Sequence, residues 1–229
     1  LNTIIRVNQI EVTRTRNDGV DESALHTLAA VRAFRLAVAA GCPEAKITWA
    51  FSWRALSAET SDYPRIRDYV KHCHETYGDD VTFIPGAFFA NAHNSREQVN
   101  RDLHEGLARV SEFMGGDFRP TSVVAGFLSA ENQRFLAEKE SIHVCQGNIW
   151  SQYAIDNQDG DGSLCYPYYP SREHFCKPAQ GCADLIDCVN LDGWTVDFLA
   201  ARRAGFQGGY NSRLGVGPIE ALPHGPETG

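Results

Sequence analysis

Residues 81–126 read VTFIPGAFFANAHNSREQVNRDLHEGLARVSEFMGGDFRPTSVVAG. A short apolar run at 81–85 is followed by a polar connection and then by the clearest helix signal in the chain. Ser95 with Gln98 makes a capping-box pattern, in which each side chain satisfies a free N–H at the helix start. Val99, Leu103, Leu107, Val110 and Phe113 recur at helical spacing and form one apolar stripe. Gly115-Gly116 stops the helix, and a second apolar run follows at 121–126. A strand, a helix and a strand in this order form a crossover between parallel strands.

The same unit repeats outward in both directions. Upstream, residues 3–12 read as a strand rich in β-branched residues, and a helix opens at Asp21 or Glu22 and runs to about Ala40, where Gly41 and Pro43 end it. Residues 47–53 form a second strand, followed by a helix from about Tyr63 to Tyr77 with Gly78 behind it. Downstream come a short helix at 130–139 and a strand at 142–147. A polar and aromatic stretch runs from Trp150 to Gly181, and a strand at 186–191 and a helix at 194–204 follow. Six βα units in series predict an α/β domain with a parallel sheet and helices outside it. No G-x-G-x-x-G follows the first strand and no Walker sequence occurs, which favours a TIM-barrel-like (β/α) barrel over an open doubly wound sheet. Six units are too few for eight strands. Either the barrel is of a smaller, incomplete kind or the chain stops before its last strands, and residues 1–229 form one domain.

Hydrophobic residues make up 43% and charged residues 22% of the 229, ordinary values for a globular chain. The net charge of -8 and the absence of a Lys/Arg cluster argue against a nucleic-acid partner. No run of about 18 apolar residues occurs; Ala29–Ala40 comes nearest, and Arg32 and Arg35 interrupt it. The seven cysteines, at 42, 73, 145, 165, 176, 182 and 188, lack zinc-ribbon spacing and read mainly as buried thiols, with one or two bridges open to the five between 145 and 188.

In such barrels the chemistry gathers at the C-terminal ends of the strands. Those ends carry Glu11, Trp53, Asn91, His93, Glu131, Asn148, Trp150, Asp192 and Trp194. Carboxylates and amides make paired hydrogen bonds to sugar hydroxyls, and indole faces stack on pyranose rings. Glu11, Glu131 and Asp192 are the candidate catalytic carboxylates, since two carboxylates flanking one bond suffice for glycoside hydrolysis. Glu131 reads equally as a first-turn helix glutamate and Asp192 as a helix cap. Trp53, Asn91, Asn148, Trp150 and Trp194 are candidate sugar contacts, and His93 is the best single metal ligand. His72, His74 and His104 read as solvated, and His143 as a strand residue facing core or helix. Asn157–Gly162 opens like a calcium loop, but Tyr168 stands where that loop needs Glu. Tyr166–Pro170 reads as a lid, a sugar platform or an extended loop packed on the barrel.

The order of segments from Ile4 to about Phe206 resembles the glycoside hydrolase/deacetylase superfamily. The most telling residues are Ala90-Asn-Ala-His-Asn94, the helix Glu97–Met114, Gly126-Phe-Leu-Ser-Ala-Glu-Asn132 and Ile149-Trp150. The chain is similar in particular to an uncharacterised bacterial family assigned provisionally to polysaccharide deacetylases. The resemblance implies an incomplete barrel of about seven strands. It also implies a hydrolase acting on a poly- or oligosaccharide, either as a deacetylase holding a divalent metal such as zinc or as a glycosidase needing no cofactor. Deacetylases carry an Asp-Asp pair after the first strand, where Gln9, Ile10 and Glu11 stand here. Their two metal-binding histidines lie four residues apart, whereas His93 stands alone, and Val124-Ala-Gly-Phe127 replaces their Arg-Pro-Pro segment. Glycosidases of the superfamily place a glutamate where Glu131 stands, with an aspartate partner from a later strand. A saccharide-binding protein on a barrel without catalysis is the reading from another class. Export from the cytoplasm is slightly favoured, and the number of subunits is open.

Overall fold

The computed structural model describes residues 3–7, 23–24, 26–85, 94–124, 128–148, 167–175 and 177–192. The elements in chain order are β1 (Thr3–Val7), α1 (Leu28–Gly41), β2 (Ile47–Phe51), α2 (Trp53–Ser57), α3 (Tyr63–Tyr77), β3 (Asp80–Phe83), α4 (Arg96–Met114), β4 (Val123–Val124), α5 (Ala130–Phe135, continued by a π turn at Leu136–Glu140), β5 (Val144–Asn148) and β6 (Val189–Asp192). All paired strands run parallel, in the orders β1-β2-β3 and β4-β5-β6. Thr82 on β3 donates its hydroxyl to the Ser122 carbonyl just before β4, so the two sheets lie edge to edge. The parallel α/β arrangement thus matches the sequence. Among the described residues there are six strands and no closed ring, so a seventh strand and a complete barrel wall are not seen. No described helix is long and apolar enough to cross a membrane.

Caps decide where the helices begin. α1 starts at Leu28, not at Asp21 or Glu22, because the Thr27 hydroxyl accepts from Ala30 N–H and the Asp62 carboxylate accepts from Leu28 N–H at 2.8 Å. β2 ends at Phe51, two residues short of the sequence reading, because Ser52 accepts from Ala55 N–H and opens α2. α3 matches its expected bounds, with Gly78 left-handed at its end (φ +70°). Only half of the capping box forms on α4. Ser95 accepts from Gln98 N–H at 3.1 Å, but the Gln98 side chain turns forward to Asp102 and Arg101 instead of back to the helix start.

Both faces of the sheet are covered, as parallel strands require. One face packs against the helices: Trp49 meets Phe34 of α1, Phe51 meets Phe113 of α4, and Phe83 meets Trp53 of α2. Gly106 lets α4 approach β3; a Cβ there would stand 2.5 Å from the Phe83 ring. The alternate residues Thr48, Ala50, Thr82, Ser122 and Gln146 are small or polar and equally buried. Gln146 donates to Ser122 across this face.

At the N-terminal ends of the strands sits a buried ion pair. Arg35 and Asp79 are both fully buried, and the Asp79 carboxylate accepts from Arg35 at 2.8 and 3.0 Å, from Ile47 N–H and from the Trp49 indole. The Arg35 guanidinium also lies 3.9 Å from the Tyr77 ring centre.

The crossover from β5 to β6 contains no helix among its described residues. The described part of this crossover, residues 167–175 and 177–188, forms a strap along β6. Tyr168 and Asn190 exchange both backbone hydrogen bonds in an antiparallel bridge, at 2.8 and 3.2 Å, on the side of β6 away from β5. Further bridges join Pro170 to Pro178 and Ser171 to Leu185. The Phe175 carbonyl accepts from the Tyr168 hydroxyl and from the Asn190 amide, and the buried His174 ring stacks on Phe175. Of the readings open for Tyr166–Pro170, the described part fits a loop packed on the sheet. Asn157–Gly162 and the helix expected at 194–204 lie outside the described residues. Cys73, Cys145 and Cys188 are buried and Cys42 and Cys182 exposed, all as thiols; Cys165 and Cys176 lie outside the described residues.

Candidate active site

The C-terminal ends of β5 and β6 carry two of the expected residues, Asn148 and Asp192. β5 and β6 run in register from Val144–Val189 to Gln146–Leu191, and the register then slips by one residue. The slip makes Asn148 and Asp192 direct partners, an amide-bearing residue beside a carboxylate-bearing one on the last rungs of two adjacent strands.

Glu131 lies on the neighbouring connection, in the first turn of α5. Ser129 caps this helix by accepting from Asn132 N–H at 3.2 Å and donating to the Asn132 side-chain oxygen. The Asn132 amide in turn donates to the Arg96 carbonyl at 3.0 Å and to Asn100 at 2.7 Å, which ties the starts of α4 and α5 together. The Arg96 guanidinium stands 3.9 Å from the Glu131 carboxylate, which is 51% exposed. This carboxylate faces solvent beside a cation on a clamped helix start. Glu131 stands in a first helical turn, as one of its two sequence readings has it.

Trp53 sits otherwise than a sugar platform requires. It is only 7% exposed, its ring lies edge-on to Phe83, and Arg109 stacks 4.8 Å above it. It opens α2 rather than ending β2, and the helix start turns it into the packing against α4. Glu11, Asn91, His93, Trp150 and Trp194 lie outside the described residues, so of the expected set the described residues pair only Asn148 with Asp192, by strand register. Among the described residues no group of three His, Cys, Asp or Glu could hold a metal ion.

The other histidines divide. His104 is exposed, as expected, and hydrogen-bonds Glu140 at 2.9 Å. His74 is only partly exposed, bonded to the Asp79 carbonyl at 2.7 Å and edge-on to Phe118, so the solvated reading fails for it. His143 precedes β5 and is 53% exposed beside Asp187, not inside the strand or against a helix. Arg96 and Gln133 were not singled out by sequence, whereas Asn132 stood in the segment after the fourth strand. Gln133 is fully buried one turn into α5, and neither atom of its amide has a partner among the described residues. Its only sequence signal is a polar residue three positions before the buried Leu136.

A family model described as a domain of unknown function with a solved structure (DUF3863) matches residues 1–229. The chain belongs to the DUF3863 family. The DUF3863 chain is also similar to a solved structure from Parabacteroides distasonis, provisionally assigned as a glycoside hydrolase/deacetylase. Identity is 49% and the TM-score 0.75, over 87% of this chain and 46% of that one. An LL-diaminopimelate aminotransferase from Gloeobacter violaceus is 26% identical over 158 residues, 66% of this chain and 37% of the relative. The DUF3863 chain therefore spans less than half the length of either protein.

Proposed function

We propose that the chain is the barrel part of a carbohydrate-active hydrolase that cleaves a glycosidic bond of a poly- or oligosaccharide. The observation that carries this reading is the 49% identity, over most of the chain, to the solved glycoside hydrolase/deacetylase from Parabacteroides distasonis. The parallel strands with Asn148 and Asp192 paired at their C-terminal ends support it. In this reading Asn148 holds a sugar hydroxyl, and Asp192 passes a proton to the leaving oxygen. Glu131 attacks the anomeric carbon or deprotonates the attacking water. Arg96 is a positioning residue that keeps the Glu131 carboxylate aimed from the clamped start of α5. Glu11, Asn91, Trp150 and Trp194 would complete the sugar contacts. The deacetylase form would instead use His93 and Glu11 to hold a divalent metal, which polarises the acetyl carbonyl when bound.

The test is a panel of poly- and oligosaccharides, acetylated and plain, read for new reducing ends and for released acetate. Glu131→Gln and Asp192→Asn should each lower the release of reducing ends by about 10²-fold or more, with the sugar still bound. Unchanged turnover in both variants overturns the assignment. Acetate release with one equivalent of bound metal, lost in His93→Ala, moves the function to deacetylation. Glycan binding with neither product would favour the saccharide-binding alternative.

A further inference from the structure

Cys145 and Cys188 lie on the outer, apolar side of the sheet with their sulfurs 3.4 Å apart. Both are fully buried in the main core cluster. Cys145 belongs to β5, and Cys188 is the residue immediately before β6. The sulfurs hydrogen-bond only to each other among the contacts that reach them. The hydrogen bond with the Cys188 sulfur, and then burial, hold the Cys145 thiol well above its ordinary range, so this is not the environment of a reactive thiolate or of a metal-binding one. Two thiols that touch across adjacent strands and serve neither purpose are placed for one chemistry.

We propose that Cys145 and Cys188 form a disulfide when the chain folds in the presence of a small-molecule disulfide. Closing the bond brings the sulfurs from 3.4 Å to about 2.05 Å. One thiol loses its proton, and its sulfur attacks the reagent disulfide, forming a mixed disulfide and releasing one reagent thiolate. The second cysteine, also deprotonated, attacks the protein-side sulfur of the mixed disulfide and expels the other reagent thiolate. The two released thiolates take up the two protons, the reagent gains two electrons, and the cysteine pair loses them. In the folded molecule both sulfurs are covered, and the Cys145 thiolate is disfavoured. Exchange therefore proceeds before the core closes over the pair, and the finished bond resists reductants because it is covered.

The bridge spans the crossover that lacks a described helix. The two cysteines are 43 residues apart, and every residue of the strap lies between them or beside Cys188. A cross-link of that span restricts the unfolded chain and fixes both ends of the one crossover with no described helix to hold it.

The test uses the full chain, denatured and reduced, then refolded in a buffer of reduced and oxidised glutathione. Free thiols are blocked with N-ethylmaleimide in denaturant and the peptides mapped by mass spectrometry. The expected product is a linked peptide pair holding Cys145 and Cys188, two hydrogens lighter than the separate peptides. Its melting temperature should exceed that of the reduced chain by roughly 5–15 °C, and a Cys188→Ala chain should show no such gain. In the native reduced protein Cys42 and Cys182 should react with the maleimide and Cys145 and Cys188 should not. Recovery of Cys145 and Cys188 as separate blocked thiols overturns the proposal, as does a linkage of either to Cys165 or Cys176. If Cys188→Ala fails to fold, the map of the unaltered chain decides alone.

Discussion

Asp79 illustrates how one residue can carry more than its sequence position announces. Arg35 was legible as a charge breaking an apolar stretch, and nothing nearby in sequence marks Asp79 as its partner 44 residues on. The pair exists because α1 packs over the starts of β2 and β3, where a single carboxylate can also take the Ile47 N–H and the Trp49 indole. Asp79→Ala leaves a buried guanidinium without its counter-charge and should destabilise the fold by about 3–5 kcal/mol in urea unfolding. A loss under about 1 kcal/mol would mean that Arg35 escapes to solvent. Asp184 tests pH at the same scale. The Gln180 N–H, the Ser171 hydroxyl and the Arg172 N–H all donate to its carboxylate and hold its pKa below the ordinary 3.8. The unfolded chain binds this proton more readily, so the contribution is present above the unfolded pKa and disappears as pH falls through the folded one. The difference in melting temperature between the unaltered chain and Asp184→Asn should therefore shrink from about pH 6 to about pH 3. A difference that stays constant would place the effect elsewhere.

Elements were legible wherever their ends carry local chemistry. Gly78 ends α3, and Gly115 with Gly116 ends α4, at the positions their sequence implies. The misses have one cause: a cap or a partner that only the folded chain supplies. α1 waits for Thr27 and Asp62, and Gln98 prefers Asp102 to the free N–H behind it. The strap was unreadable because its hydrogen bonds go to residues distant in sequence, with no periodic pattern to show them. Two substitutions test elements directly. Ser129→Ala removes the α5 cap and the anchor of Asn132, and should cost about 1–2 kcal/mol in urea unfolding. Because Glu131 rides on that turn, glycan turnover should fall with it if the proposed site is correct. Gly106→Ala forces a methyl against the Phe83 ring and should cost about 1–3 kcal/mol by the same measurement. A neutral result would show that α4 can shift away from β3.

For the whole molecule, the alternation of strands and helices was readable over the described residues from β1 to β5, because parallel crossovers repeat one pattern. The candidate site was readable only as a set of residue types at strand ends. What pairs two of its members, Asn148 and Asp192, is register, and the slip that does so has no signature in the local sequence. Trp53 shows the converse, since an indole at a strand end is drawn into the core once α2 begins there. Native-state hydrogen exchange reads the assembled sheet as a unit. The Asn190 and Tyr168 amides, bonded to each other's carbonyls, should exchange far more slowly than exposed loop amides. Rapid exchange at both would mean that the strap does not seat on β6.

That antiparallel contact also bears on how copies of the chain treat one another. An uncovered strand margin is a template on which a second chain can add its own strand, and so the starting point of ordered aggregation. By occupying the Asn190 side of β6 with its own residues, the molecule withdraws that template from its neighbours. The strap is in this sense a guard against self-association, and a change that loosens it would be felt first as lost solubility in concentrated solution.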